Sequence, residues 1–512
     1  MNGEQTNICV EDPKQGRLPG GYLLAAVGAL ALVVCCLAIN NESFWVDEAV
    51  SVLKAKEPTL ARFWRALDGS PEIQQPFFFL FARAWEKLVG LNECAMRAGN
   101  APWFLAGSII LFCAVEGKPL LRWSLLAVFL SSPFAWYYLN EVRPYAMEIA
   151  LSLVVFAALY RLGLNQKAST QERGWVITLC LGSLLLSATS ILAMLFLGAY
   201  LGAAVFSTPK EHRRRLARDY RVYWGLTLPL LFALGLFYLW TLSIGSHGGY
   251  AYTTDIKTVL FVAYELLGFD GLGPGRLAIR NEGLVAFWPW LPWLAIYSVV
   301  LLIVLIQGWK QIAVFTSVRT RIFWVVALAI VGGFIEGTGA KVGWRALARH
   351  CTPLLIPVLF VLGAGVAALL SRKNWAGRVA AVAFVGLNVA SDMNLRFSQR
   401  HAKDDCRTAA AVAIAAVARG ERVWWCADRA AGIYYGVPLS QRNNVAGPDQ
   451  VWHVENPPEH LLDNQPPPQL VVLLSKSGYS DKENRVRAYL EQNRYRLSEV
   501  LPAFTVWRRG DR

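Results

Sequence analysis

The sequence is poor in charge, since only 17% of its 512 residues are Asp, Glu, Lys or Arg, compared with about 25% in soluble domains. It also has no cysteine spacing typical of a zinc site, no phosphate-binding glycine loop and no dinucleotide-binding fingerprint. It contains no internal repeat and no low-complexity segment. A chain with so few charges cannot cover a large water-facing surface, so much of its surface must face lipid.

The residues that are abundant support the same conclusion. Hydrophobic residues make up 55% of the chain, and its 20 Trp suit the membrane interface, where amphipathic rings settle. The net charge of +14 is compatible with nucleic-acid binding, but Lys and Arg in a multi-span protein mostly mark cytoplasmic loops. We therefore predict an integral membrane protein, in a bacterial inner membrane, with no nucleic-acid partner.

Apolar runs of near-spanning length predict about eleven transmembrane helices. The block 175–206 can be read as one span or two, and we divide it at Ala188-Thr189-Ser190. No small-residue cleavage site clearly follows the first run, which indicates a retained anchor rather than a signal peptide. The predicted spans are 20–39, 98–115, 120–139, 144–163, 175–188, 190–206, 223–242, 286–307, 322–337, 351–370 and 379–393.

The segment 76–90 decides the topology. It is short and amphipathic, with Arg83, Glu86 and Lys87 behind an aromatic start, so we predict a helix lying flat at the interface. With the tail 1–19 in the cytoplasm, this choice places the basic run 207–222 in a cytoplasmic loop, as the positive-inside rule requires. The outer loop 40–97 and the C-terminal region are then extracytoplasmic.

The composition changes at about residue 394. A helix pattern at 407–419, strand-like runs at 422–426 and 470–474, a polar helix near 481–493 and a final strand at 504–507 predict a small α/β domain over 394–512. If it lies outside the cytoplasm, Cys406 and Cys426 can form a disulfide or remain free. The transmembrane domain is predicted to span 20–393.

The first outer loop carries an acidic pair, Asp47-Glu48, directly after the aromatic residues Phe44 and Trp45. Partial burial would raise the pKa of a carboxyl there and suit it to act as a general base. The alternative is a pair of solvated loop acids.

The second outer loop, 140–145, is very short. Glu141, Tyr145 and Glu148 share one helix face by their spacing, and Arg143 is placed to bind a phosphate or to pair with Glu141. The alternative for Glu148 is an internally paired or snorkelling acid.

The last outer loop carries Lys341, Arg345, Arg349 and His350, which runs against the positive-inside rule. An anionic ligand at the headgroup level would explain these cations, and a simple topology exception is the alternative. Glu336 is a candidate partner for one of them.

Together the three loops place a carboxylate base and several cations beside the lipid. A sugar transfer from a lipid phosphate requires both, because the base activates a hydroxyl and the cations stabilise the departing phosphate. We predict catalytic roles for Asp47 and Glu48 and donor-phosphate or substrate binding by the residues Glu141, Arg143, Tyr145, Arg345, Arg349 and His350.

The order of four motifs resembles the GT-C glycosyltransferases. The motifs are Trp45-Val46-Asp47-Glu48-Ala49, then 72–79, then Glu141-Val142-Arg143-Pro144-Tyr145, then Arg349-His350-x-x-Pro353. The nearest branch is the bacterial one similar to protein O-mannosyltransferases and to lipid A aminoarabinose and galacturonic acid transferases. The resemblance covers roughly 20–370.

The resemblance implies a GT-C-like fold with an interfacial helix, Asp47 as the base, inversion at the anomeric carbon and a polyprenyl-phosphate sugar as donor. The acceptor would be a membrane lipid, a cell-envelope glycan or a protein, and no cofactor or metal is implied. One departure is that Glu72-Ile73-Gln74-Gln75-Pro76 replaces the family's Asp-x-His-Pro-Pro, which puts a metal or proton role for that His in doubt. A transporter or flippase, and a catalytically inactive family member, remain as alternatives.

Overall fold

A computed structural model describes residues 20–164, 171–244, 254–342, 346–444, 447, 450–458, 460–463, 465–476 and 480–510. The predicted tail 1–19 and Arg345 lie outside these residues. The first outer loop lies between α1 (Gly21–Ala38) and α6 (Ala101–Ala114) and folds into four short helices. These are α2 (Val46–Ala55), α3 (Leu60–Leu67), α4 (Pro76–Val89) and α5 (Glu93–Arg97).

The rest of the membrane part is also helical. Its helices are α7 (Pro119–Leu130), α8 (Pro133–Leu139), α9 (Tyr145–Leu164), α10 (Glu172–Thr189), α11 (Ile191–Ser207), α12 (Lys210–Asp219), α13 (Arg221–Ser243), α14 (Ile256–Leu266), α15 (Arg276–Glu282), α16 (Leu291–Phe315), α17 (Val318–Val342), α18 (Leu355–Leu370) and α19 (Trp375–Phe397). The 3-10 turns include Pro71–Gln74 before α4, Gly283–Trp290 before α16 and Ala348–Leu354 before α18.

Each predicted apolar run is mostly helical, and within the described residues six segments are long and apolar enough to cross a membrane. On α13 the large side chains Leu226, Phe232 and Leu236 are exposed, which suits a lipid-facing surface. The six segments are Gly21–Ala38, Tyr145–Gly163, Arg221–Ser243, Arg276–Val314, Val318–Lys341 and Ala348–Leu370.

Two helix breaks bear on the predicted spans. The division of 175–206 is confirmed, because Ser190 has extended backbone angles and its Oγ accepts from the N–H of Ala193 at the start of α11. The single span predicted at 120–139 is instead α7 and α8, which are separated at Ser131-Ser132. The reason is Pro133, which disfavours helical geometry at the residue before it and starts a new helix capped by Ser132.

Small residues allow the closest contacts between helices. At the crossing of α16 and α18, a Cβ added to Gly308 would lie 1.9 Å from the carbonyl oxygen of Val361. A Cβ on Gly365 would lie 2.1 Å from the carbonyl oxygen of Val304. Helices in a membrane associate through such close backbone approach, since lipid supplies little hydrophobic driving force between them.

The C-terminal region is an α/β domain, as predicted. Its sheet has the order β2-β1-β3-β5-β4, with β1 parallel to both neighbours and β5 antiparallel to both of its own. The strands are β1 (Val423–Cys426), β2 (Trp452–His453), β3 (Leu470–Leu474), β4 (Tyr495–Leu501) and β5 (Phe504–Arg509). The helices are α20 (Cys406–Ala418), α21 (Arg429–Tyr434) and α22 (Arg485–Gln492).

The sequence patterns located β1, β3, β5 and the helices α20 and α22, but they missed the very short β2 and the largely exposed β4. Helix α19 extends past residue 394, where the domain was predicted to begin, to Phe397. Cys406 and Cys426 are both buried free thiols.

We predict that Gly308→Ala or Gly365→Ala lowers the stability of the folded protein by about 1–3 kcal/mol, because the added methyl group forces the α16–α18 backbones apart. The thermal unfolding midpoint of the purified protein in detergent is the measurement. Gly386→Ala is the matched control, since its Cβ would meet nothing within 4 Å on the exposed face of α19. Equal midpoints for all three variants would contradict the close packing.

Candidate active site

The acidic pair Asp47-Glu48 lies in the first turn of α2, where the helix dipole favours negative charge. Their surroundings differ sharply. The Glu48 side chain is fully buried, whereas the Asp47 side chain is 27% exposed. This difference separates an acid that holds the structure together from one that a substrate can reach.

Both carboxylate oxygens of Glu48 accept hydrogen bonds from protein groups. Arg97 donates to its two carboxylate oxygens at 2.8 and 2.7 Å, the N–H of Val142 donates at 3.0 Å, and Lys403 Nζ lies 3.2 Å away. Burial alone would raise the pKa of Glu48, but Arg97, Lys403 and these hydrogen bonds outweigh it and hold the pKa below its usual range. Glu48 is therefore a buried anion that joins α2 to the second outer loop.

Arg97 extends this connection to the chain ahead of α2. Its remaining N–H groups donate to the carbonyl oxygens of Asn40, Glu42 and Ser43 at 3.1, 2.7 and 3.2 Å. Arg97 was not among the site residues predicted from the sequence. An available signal was its position, since a cation directly before the apolar run 98–115, on the predicted outer side, runs against the positive-inside rule.

Asp47 lies between two arginines. Arg349 Nη1 is 2.8 Å from Asp47 Oδ2, and Arg143 Nη1 contacts the Asp47 carbonyl oxygen at 3.4 Å and Ser51 Oγ at 3.2 Å. The predicted residues Asp47, Arg143 and Arg349, from three separate outer loops, therefore share one site.

Several buried polar atoms around Asp47 have no hydrogen-bond partner among the described residues. They are the Nε atoms of Arg143 and Arg349, Nε1 of Trp45 and both carboxyl oxygens of Glu141. Such atoms are rare in folded proteins because each unmade hydrogen bond costs free energy. Their concentration beside one partly exposed carboxylate indicates a polar ligand site.

Glu141 is 1% exposed, and burial raises the pKa of its carboxyl group. The groups that face it are Lys403, Arg276 and Arg349, which oppose this rise, and Glu48, which adds to it. Burial would lower the pKa of Arg143, but Tyr145, Asp47 and Glu72 more than compensate and hold it above the usual value. Arg143 is therefore a cation, and Glu141 ionises less readily than an exposed carboxyl group.

A second ionic group adjoins this site. Lys54, two turns after Asp47 on α2, pairs with Glu72 at 2.8 Å and donates to Ser70 Oγ at 2.7 Å. Burial raises the pKa of Glu72, but Lys54 and Arg143 bring it below its usual range. The acid of the altered 72–76 segment thus lies within the electrostatic reach of Arg143.

Arg276 was also missed from the sequence. It pairs with Glu265 and with Asp270, the latter at 3.3 Å, and lies 3.7 Å from the centre of the Tyr137 ring. Arg276, Glu265 and Asp270 are all distant from Glu141 in sequence, so no spacing pattern could have joined them to it.

The other predicted residues have varied places. Tyr145 is buried at the start of α9, with its ring centre 4.9 Å from that of Tyr138. His350 Nδ1 accepts from the N–H of Leu347 and so caps the turn that carries Arg349. The carboxyl oxygens of Glu336 contact none of the described cations within hydrogen-bond reach. No cluster of three or more His, Cys, Asp or Glu suited to a metal occurs in the described parts of the chain.

Comparisons with known proteins agree with this architecture. No protein-family model and no curated protein matches the sequence. Among solved structures, ArnT from Cupriavidus metallidurans in the apo state has a TM-score of 0.53 at 14% identity, covering 95% of this chain and 97% of that one. The same protein bound to undecaprenyl phosphate has a TM-score of 0.46 at 13% identity, covering 96% and 98%. The similarity to the apo structure shows that this chain shares the fold of that protein, and together with the apolar helices and the C-terminal sheet it confirms the predicted helical membrane architecture with a small α/β domain.

We predict that Arg97→Met lowers the stability of the folded protein by about 3–5 kcal/mol, because it leaves Glu48 as a buried carboxylate without its main partner. Arg218→Met is the matched control, since Arg218 pairs with Asp219 at an exposed site where an ion pair contributes only about 0–1 kcal/mol. Thermal unfolding in detergent, with the yield of folded protein, measures both. A control variant as unstable as Arg97→Met would contradict a special role for the buried pair.

Proposed function

We propose that the protein is an inverting glycosyltransferase that moves a sugar from a polyprenyl-phosphate donor to an acceptor hydroxyl at the outer face of the bacterial inner membrane. One observation carries this proposal. The partly exposed carboxylate of Asp47 pairs with Arg349, and Arg143 donates to the backbone carbonyl oxygen of the same residue. Each arginine keeps a buried N–H without a partner among the described residues.

The chemistry follows from the charges. Asp47 accepts the proton of the acceptor hydroxyl, and the hydroxyl oxygen forms a bond to the anomeric carbon. The bond from that carbon to the phosphate oxygen breaks at the same time, and the electron pair leaves with the phosphate. Arg143 and Arg349 stabilise the departing phosphate through charge-assisted hydrogen bonds. A single displacement of this kind inverts the anomeric configuration.

The remaining residues receive supporting roles. Glu141 offers two buried carboxyl oxygens that can accept hydrogen bonds from sugar hydroxyl groups. Glu48 positions α2, because all of its surroundings are protein groups. We propose that Tyr145, His350 and Arg345 contribute to donor binding, as the sequence motifs predict. No step uses a metal or a cofactor.

The positions of Arg143 and Arg349 beside apolar helices favour a donor that is carried on a lipid. Arg349 is the second residue of the apolar segment Ala348–Leu370, and Arg143 lies two residues before Tyr145–Gly163, so both cations adjoin helices long and apolar enough to span a membrane. A phosphate held at this level by a hydrocarbon chain reaches them without leaving the bilayer. ArnT was crystallised with undecaprenyl phosphate, so sugars carried on this lipid are the first donors to test.

We predict that Asp47→Asn abolishes sugar transfer, because the amide cannot take up the acceptor proton, while the protein still folds and inserts. Radiolabelled transfer from a synthetic polyprenyl-phosphate sugar, with unfolding midpoints alongside, is the measurement. Asp68→Asn, at an exposed acid of the same outer loop, is the control and should transfer at the wild-type rate. Activity in the Asp47→Asn protein close to wild type would remove Asp47 from the mechanism.

Donor affinity tests the two arginines separately. Arg143→Gln and Arg349→Gln should each lower kcat/KM for the donor by about 10–150-fold, since a hydrogen bond to a charged group contributes about 1.5–3 kcal/mol. Steady-state kinetics with varied donor concentration measures this. Arg62→Gln, at an exposed position of α3, is the control. Unchanged donor kinetics in both arginine variants would refute phosphate binding at this site.

A further inference from the structure

The segment that leads from α19 into the C-terminal domain brings a lysine into the site. The Lys403 side chain is only 8% exposed, although it belongs to neither the first nor the second outer loop. Its Nζ donates to Glu48 Oε2 at 3.2 Å and to the carbonyl oxygen of Asn140. A single ammonium group therefore connects α2 with the loop that carries Glu141 and Arg143.

The C-terminal domain itself is docked on the first outer loop. The Tyr435 hydroxyl accepts from the N–H of Phe44 at 2.7 Å and donates to Glu93 Oε1 at 3.0 Å. Arg407 donates to the same carboxylate at 2.7 Å and to the carbonyl oxygen of Asn41 at 2.9 Å. These contacts hold the residues immediately before α2, the helix that carries Asp47.

Apolar packing reinforces the docking. The ring of Tyr434 lies edge-on to that of Phe44, with centres 5.1 Å apart. Phe44 and Val52 belong to the same buried cluster as Trp425 and Phe504 of the C-terminal domain. Because one apolar core is shared by the first outer loop and the C-terminal domain, the two are packed together, and the segment that carries Lys403 connects to this packed domain.

Electrostatics gives Lys403 a second effect. Burial and the neighbouring cation Arg97 hold the pKa of Lys403 below its usual value. The carboxylates of Glu48, Glu141 and Glu42 face Lys403 and favour its charged form. The buried carboxyl oxygens of Glu141 have no hydrogen-bond partner among the described residues, and burial disfavours the ionised form of this acid. Lys403 is one of the nearby cations that oppose this effect of burial.

We propose that Lys403 is a positioning residue of the transfer reaction, through which the docked C-terminal domain holds α2 and the 140–143 loop together and keeps Glu141 ready to accept hydrogen bonds. This inference rests on the proposed function. It makes the C-terminal domain part of the catalytic unit rather than an appended module.

The test uses the full-length protein with Lys403→Met and Lys403→Arg. Lys476→Met is the matched control, because Lys476 pairs with Asp404 in the same connecting segment, away from Glu48. We expect Lys403→Met to lower kcat about 100-fold, the scale of a misplacement near 1 Å, with little change in donor KM. The acid limb of the pH–rate profile should move to higher pH, since Glu141 loses a cation that favours its ionised form. Lys403→Arg should restore most of the rate.

A stability measurement keeps the test independent of activity. Without Lys403, ionising Glu48 and Glu141 becomes more costly in the folded state than in the unfolded state. The gap in unfolding midpoint between wild type and Lys403→Met should therefore widen from about pH 5 to about pH 8. For Lys476→Met the gap should stay nearly constant.

Two results would overturn the inference. One is a Lys403→Met protein with the kcat and pH profile of the Lys476→Met control, in which case the proposed function stands and Lys403 has no role in it. The other is a midpoint gap that does not depend on pH. Wild-type protein that transfers no sugar would instead refute the proposed function, and the midpoint gap would still decide whether Lys403 controls the buried acids.

Discussion

The ion pair between Glu48 and Arg97 joins segments of the first outer loop that are far apart in sequence. It connects the first turn of α2, the residues 40–43 before it and the helix that leads into α6. Neither charge contacts water, so the pair survives only because every oxygen and most N–H groups have protein partners. This requirement fixes the orientation of α2, and with it the direction in which Asp47 points.

The different roles proposed for the neighbouring acids Asp47 and Glu48 follow from this constraint. A carboxylate that is buried and fully bonded cannot accept a proton from a substrate, whereas Asp47 keeps part of its surface and has one arginine at bonding distance. Arg143 and Arg349 reach Asp47 from two different membrane-adjacent segments. The site is thus assembled by three loops that adjoin apolar helices.

Much of this arrangement could be predicted from the sequence, because local patterns carried it. Long apolar runs located the helices, and short strand-like apolar runs located β1, β3 and β5. The charges that stood in unexpected places, Asp47, Arg143 and Arg349, proved to share a site. Arg97 and Lys403 were not found, because their partners lie 49 or more residues away. Arg276 was not found, because its partners Glu265 and Asp270 belong to none of the four motifs. The break at Ser131-Ser132 was hidden by the apolar residues on both sides.

The proposed reaction is a single displacement at an anomeric carbon, with Asp47 as the base and a donor held in the bilayer. The most direct test is proton NMR of the product formed by the purified protein from a polyprenyl-phosphate sugar of known anomeric configuration. We expect a covalent product of inverted configuration, with free polyprenyl phosphate released in equal amount. A product of retained configuration would contradict the single displacement, and movement of the intact donor across the membrane without any product would contradict transfer itself.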